Sequence, residues 1–361
     1  MNEMRRRASN VELLRIIAMI LIVCAHAVGH SNFGEGLFIV ETSYKMNTVF
    51  INAIGNAGWG RLGAEIFIVI SIWFLLERDV IKYDKLVLLA VRTWFLSMII
   101  TLFFIAVGQK LSVSTLIKEL ITPAYPQYWF ITNYILFYLF IPFLKEFESN
   151  LDDKQLEKFC LLATIVVFAY RVSEDVSNLV YFGYLFFLIA FIKRKKDNLI
   201  EKNKYIIFIL LIICNYIFLN GTVIQLLSEK VCLALGHFVI TFLAIDMMYI
   251  FCSLKIPNIK IVNFVASETM SVYVLHENIL FRGKDGENSY LWDNIMKLRN
   301  CYMSEPLFPV YMMGAVVVVF CVTILIGYIY TNSVEKIFKS RCLSFLMKWI
   351  NYALKGEKCQ E

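Results

Sequence analysis

Long apolar runs recur along this chain, separated by short polar connections. They stand near residues 11–29, 62–77, 86–108, 128–147, 157–171, 178–193, 204–220, 231–253, 261–281 and 306–330. Helical runs of roughly 17–25 apolar residues are long enough to cross the hydrocarbon core of a bilayer. The pattern therefore predicts an all-α polytopic membrane protein with about ten transmembrane helices. The fifth and sixth runs are the shortest, because Arg171, Glu174 and Asp175 interrupt them. After the tenth, Val334, Ile337, Phe338, Leu346, Trp349 and Ile350 are interleaved with Lys336, Lys339, Arg341 and Lys348. That spacing predicts an amphipathic helix over 333–355, lying on the membrane surface.

Charge gives the sidedness. With the N-terminus inside, 23 Lys/Arg fall on or beside the cytoplasmic connections and 10 on the external ones. A bias above two to one is what the positive-inside rule expects. It supports an even number of spans, with both termini in the cytoplasm of a cell-membrane protein. Lys193-Arg194-Lys195-Lys196 is then a topology anchor that also meets lipid headgroups, and the net charge of +6 needs no nucleic-acid partner. The basic Arg5-Arg6-Arg7 and the apolar run after it lack a cleavage site, so the first helix is expected to stay in the mature chain. The composition, 59% hydrophobic and 18% charged over 361 residues, agrees. The nine cysteines show neither CxxC nor metal-ligand spacing and read as small buried hydrophobes. No repeat or low-complexity segment is present, and the largest external loops, 31–61 and 282–305, are too short for separate domains.

Within the first run, "RIIAMILIVCAH" carries a cation at one end and an imidazole at the other. Arg15 and His26 are eleven residues apart, three turns plus about 20°, so they project from one helix face about 16 Å apart along the axis. Glu12 joins this face, and Ser9-x-x-Glu12 fits a capping box that starts the helix. Each residue alone has an ordinary explanation: a snorkelling arginine, and a histidine bonded to a neighbouring helix. An ionisable pair on one face at membrane depth instead points to a bundle interior or a watery cavity.

Arginine, ten residues, then histidine in a first transmembrane helix resembles the signature of the membrane acyltransferase-3 family, whose members acylate surface glycans. Three further stretches are similar to family segments in the same order: "GAEIFIVIS" (63–71), "YWFITNYILFYLFIPFL" (128–144) and "SVYVLHENI" (271–279). The resemblance covers about residues 10–330. It departs at Ile72, where the family usually has glycine after the serine. It implies an acyltransferase-3-like transmembrane domain over 1–332 and a cytoplasmic amphipathic tail over 333–361. It also implies an O-acyltransferase with acetyl-CoA as donor, and a cell-surface polysaccharide or lipid-linked saccharide as acceptor.

Such a reaction needs a base for the hydroxyl proton and a site for an anionic donor. His26 suits the first role, as base or as acyl carrier. Arg15 suits the second, since guanidinium pairs strongly with phosphate. Arg92 matches an arginine at the family's entry to the third span, as a second donor contact or a topology arginine. His276 is fifteen residues into the ninth span and His26 fifteen into the first, so the two are expected at one depth, facing one cavity. Tyr273 and Glu268 share the helix of His276 but only part of its face. Glu65 stands where the family carries an acidic residue, to orient His26, to bind sugar, or merely as a solvated carboxylate at a helix start. Gln127, Tyr128 and Trp129 form an interface belt or a sugar platform. His30 completes an HxxxH spacing with His26, but no third ligand is evident in the sequence and no metal is expected. His237 and Asp246 lie on opposite helix faces and receive no role. The rival readings are a transporter or flippase for a lipid-linked glycan or anion, and a membrane scaffold. The first has no inverted repeat or Gly/Pro-broken helix pair behind it, and the Arg15/His26 face argues against the second.

Overall fold

A computed structural model describes residues 9–31, 33, 45–56, 58–78, 80–173, 177–195, 199–219, 228–283, 288–304 and 306–347. Among these residues there are helices and turns and no strand. The helices are α1 (Ser9–Gly29), α2 (Lys45–Asn56), α3 (Trp59–Leu76), α4 (Asp84–Ala106), α5 (Val113–Leu120), α6 (Trp129–Ser149), α7 (Asp153–Ser173) and α8 (Asn178–Arg194). They continue with α9 (Leu199–Leu219), α10 (Glu229–Ser253), α11 (Lys260–Ser267), α12 (Thr269–Glu277), α13 (Ile279–Arg282), α14 (Leu298–Ser304), α15 (Phe308–Tyr330) and α16 (Lys336–Arg341).

Every predicted run is helical. Among the described residues, six helical segments are long and apolar enough to cross a membrane: α1, the run Met46–Leu76 that ends in α3, α4, α6, α10 and the run Phe308–Arg341 that begins with α15. The ninth run differs from the prediction by being broken. At Glu268 (φ −98°, ψ −1°) the chain leaves α11 and restarts as α12. Arg92 holds the break through Glu268 (3.5 Å) and the Ser267 carbonyl (3.3 Å). The connections between the runs also contain helices that hydropathy did not predict, α2 and the short amphipathic α5. Of the surface helix predicted over 333–355, α16 and a further turn to residue 347 are helical; residues 348–361, like Arg5–Arg7, lie outside the described residues.

Large apolar side chains are exposed along α4, α6, α9 and α15, among them Leu102, Phe143, Ile209 and Val317. An apolar surface of that extent is stable against lipid and not against water. The connections assigned to one side of the membrane are bonded to one another: Ser9 to Asn263, Lys193 to Glu77, and Arg194 to the Glu148 carbonyl.

α1 is the central rod, packed against α3, α10, α11, α12 and α15. Glycines let α3 approach it closely, as small residues do between membrane helices. A Cβ on Gly60 would lie 2.7 Å from Ala25 Cβ, and one on Gly63 would lie 2.4 Å from the Ala18 carbonyl oxygen and 2.6 Å from Ile22 Cγ1. Backbone cannot yield there. Gly63→Ala is expected to destabilise the protein by about 1–3 kcal/mol through overpacking, seen as a lower unfolding temperature in detergent. Gly183→Ala, whose added Cβ meets nothing within 4 Å, is the control and should leave that temperature unchanged.

Candidate active site

The stretch His276-Glu277-Asn278 ends α12. Asn278 (φ −58°, ψ 135°) leaves the helical conformation, and its side chain accepts a hydrogen bond from Leu280 N to start α13. A buried polar network holds that turn. Asn278 Nδ2 donates to Tyr128 Oη (2.9 Å) and to Glu119 Oε2 (3.2 Å). Glu119 also receives Gln127 Nε2 (3.1 Å) and the Ser97 hydroxyl. Each donor compensates part of the desolvation of a buried carboxylate. Glu277, just before the turn, is thereby set against the C-terminal end of α1.

There the histidines meet. His26 Nδ1 lies 2.9 Å from His276 Nε2 and 2.8 Å from Glu277 Oε2. His30 Nε2 lies 2.9 Å from the same Glu277 oxygen, and Arg282 Nη1 donates to the other one at 3.1 Å. The partners fix the protons. His276 Nδ1 is 2.6 Å from the Val272 carbonyl, which only accepts, so Nδ1 carries the hydrogen and Nε2 of the neutral ring accepts. His26 Nδ1 faces two acceptors, so it carries the proton and its Nε2 holds the lone pair. Donors converge on both Glu277 oxygens, the pattern of a carboxylate rather than a carboxylic acid.

Two adjoining cavities lie between His26 and Arg15. The first, about 330 Å³, is lined by Arg15, Arg78 and Lys85 together with Ser71, Tyr134 and Tyr138. The second, about 40 Å³, is lined by His26, Trp129, Tyr273, Gly60 and Ala64 among others. Phe67, Phe130 and Met270 belong to both linings, so the two spaces adjoin across shared walls. Arg15 is steadied by Glu12 at 2.7 Å.

Of the residues singled out in the sequence, the structure thus brings Arg15, His26, Trp129 and Tyr273 to the walls of these cavities, and His276 to His26. Others are placed elsewhere. Arg92 lines neither cavity: its guanidinium bonds Glu335 (2.5 Å), Thr331 (3.0 Å) and Glu268, tying α4 to the broken ninth run and to the segment after α15. Glu65 is buried against Arg61 (2.8 Å) rather than against His26. Arg61 and Arg171 lie over the Tyr181 ring, and Arg171 bonds His237 (3.0 Å), so these residues form a separate cluster. Tyr128 is buried and donates to the Val274 carbonyl (3.1 Å), supporting α12 rather than presenting a platform. Glu277 and Arg282 are site residues that the sequence did not single out, and His30 was weighed only as a metal ligand beside His26. The signal for Glu277 was available, as an acidic residue inside a predicted span. For His30, the HxxxH spacing lacked only Glu277 as a partner.

No curated protein and no solved structure matches the chain. The family model for the acyltransferase domain matches residues 9–332, a stretch that contains every residue of the cluster and of both cavities. The chain therefore belongs to the acyltransferase-3 family, and it is a membrane acyltransferase.

Proposed function

We propose that this protein is an O-acyltransferase that moves acetyl from acetyl-CoA to a hydroxyl of a cell-surface polysaccharide or its lipid-linked precursor. In this reading the ten apolar runs cross the membrane with the N-terminus in the cytoplasm. The donor enters at the Arg15 end and the acceptor reaches His26 from outside. The observation that carries the reading is the shared wall of the two cavities, which links three cations to a histidine bearing a bare lone pair. Arg15, Arg78 and Lys85 suit the phosphates of a polyanionic donor, with Arg15 offering planar, charge-assisted hydrogen bonds. A thin carrier arm leads past Phe67 and Phe130 to the small space beside His26.

At that point His26 Nε2 removes the acceptor proton as its oxygen bonds the thioester carbonyl carbon. The carbon–sulfur bond then breaks, and the thiolate leaves with the proton returned by the imidazolium. Glu277 and His276 hold His26 Nδ1–H throughout, the orienting role that a carboxylate plays in hydrolase triads.

The test is acyl transfer by purified protein in nanodiscs supplied with radiolabelled acetyl-CoA, with release of free thiol. It is paired with mass spectrometry of surface glycans from cells with and without the gene. One acetyl unit is expected to disappear in the deletion. Retention of acetyl-CoA without thiol release, and unchanged glycans, would instead favour the transporter reading. Arg15→Ala is expected to raise the donor KM roughly 10–100-fold with kcat little changed, since a charge-assisted hydrogen bond contributes about 1.5–3 kcal/mol. A fall in kcat alone would remove Arg15 from donor binding.

A further inference from the structure

His26, His30 and Glu277 offer three metal-binding atoms that all lie within 4.8 Å of one another. We propose that these residues bind a divalent transition-metal ion such as zinc, and that the bound ion silences the acyltransferase. The silencing rests on the function proposed above; the binding does not.

Two imidazoles and a carboxylate form a ligand set that zinc accepts, with a fourth position open. Around an ion at 2.0–2.1 Å, tetrahedral donors stand roughly 3.3 Å apart. His26 Nδ1 and His30 Nε2 are 2.8 and 2.9 Å from Glu277 Oε2, so the side chains must open slightly at the carboxylate and close elsewhere. Support around the ligands is built in. Arg282 holds the second Glu277 oxygen, at 3.1 Å. Outer partners of this kind orient metal ligands. Entry is from the side of the two imidazoles: the His26 and His30 side chains are 24% and 17% exposed, whereas Glu277 is 4% exposed.

Metal binding and base catalysis are mutually exclusive on one imidazole. With the ion on His26 Nδ1, the ring proton must sit on Nε2. That is the atom whose lone pair takes the acceptor proton. The exchange moves one proton between ring nitrogens and breaks no covalent bond to carbon. A bound ion therefore stops transfer while leaving the Arg15 cavity open to donor.

The test uses the full-length protein in nanodiscs, stripped with EDTA and titrated with Co²⁺. Ligand-field bands of tetrahedral Co²⁺ at one ion per chain, displaced by Zn²⁺, are expected. His30→Ala, and His30→Asn as a smaller change, should weaken binding by roughly tenfold or more, since each removes one ligand. In the same preparation Zn²⁺ should inhibit acetyl transfer, EDTA should restore it, and His30→Asn should raise the inhibitory concentration in parallel with the loss of binding. Absence of the Co²⁺ bands, or bands unchanged in both His30 variants, would overturn the site. Transfer that requires the ion and is lost in EDTA would overturn the silencing. Co²⁺ binding that depends on His30, in a protein that transfers no acetyl, would sustain the site and reject the proposed function.

Discussion

His26→Ala is expected to lower acyl transfer by roughly 10²–10⁴-fold, the contribution of a positioned general base, with the protein still inserted in the membrane. The variant loses the one His26 ring nitrogen that carries a lone pair, on a residue that lines the small cavity. His276, 2.9 Å away, cannot replace it, because its Nε2 points at the position His26 vacates and its Nδ1–H is held by Val272. His26 is partly exposed, with 24% of its side chain accessible, so truncation leaves no large void and folding should survive. The decisive comparison is kcat for transfer against the affinity for acetyl-CoA. The first should collapse and the second should stay, because Arg15, Arg78 and Lys85 are untouched. Full activity in this variant would end the assignment of His26 as base or acyl carrier alike.

Glu277→Gln is expected to be nearly as severe, with kcat reduced about 10²-fold or more and the donor KM unchanged. The isosteric amide removes the charge that stabilises the imidazolium formed during transfer. Its NH₂ group also has to face at least one of the donors now converging from His26, His30 and Arg282. Loss of one acceptor in a buried network leaves its partners unsatisfied, at about 1–3 kcal/mol. Loss of the correct histidine tautomer accounts for losses near 10⁴-fold in hydrolase triads. Glu277→Asp keeps the charge and should recover part of the rate. If Gln and Asp variants were equally impaired, packing and not charge would be the contribution of Glu277.

The helical segments, and the meeting of His26 with His276, were legible because they depend on run length and helical period alone. Counting fifteen residues into two spans that run the same way places two imidazoles at one depth, and they are 2.9 Å apart. The break at Glu268 was not legible, because it depends on a guanidinium carried by α4, far away in sequence. Nor was the placement of Glu65 beside Arg61: both the outward and the inward readings satisfy the same periodicity, and packing of α3 against α8 and α10 decides between them. Arg92 illustrates the general difficulty. Its position at a helix entry suits a phosphate contact, and only the folded chain reveals that Glu335 and Thr331 already occupy its nitrogens. The helices α2 and α5 escaped notice because neither is continuously apolar enough to register as a span.

The glycines at 60 and 63 have a consequence for selectivity. By clamping α3 onto α1, they stiffen the rod that carries both Arg15 and His26. The rod becomes a ruler of fixed gauge, graduated at about 1.5 Å per residue. In the proposed reaction, a carrier whose arm is shorter than that gauge would not present its thioester at the imidazole, however tightly its phosphates were gripped.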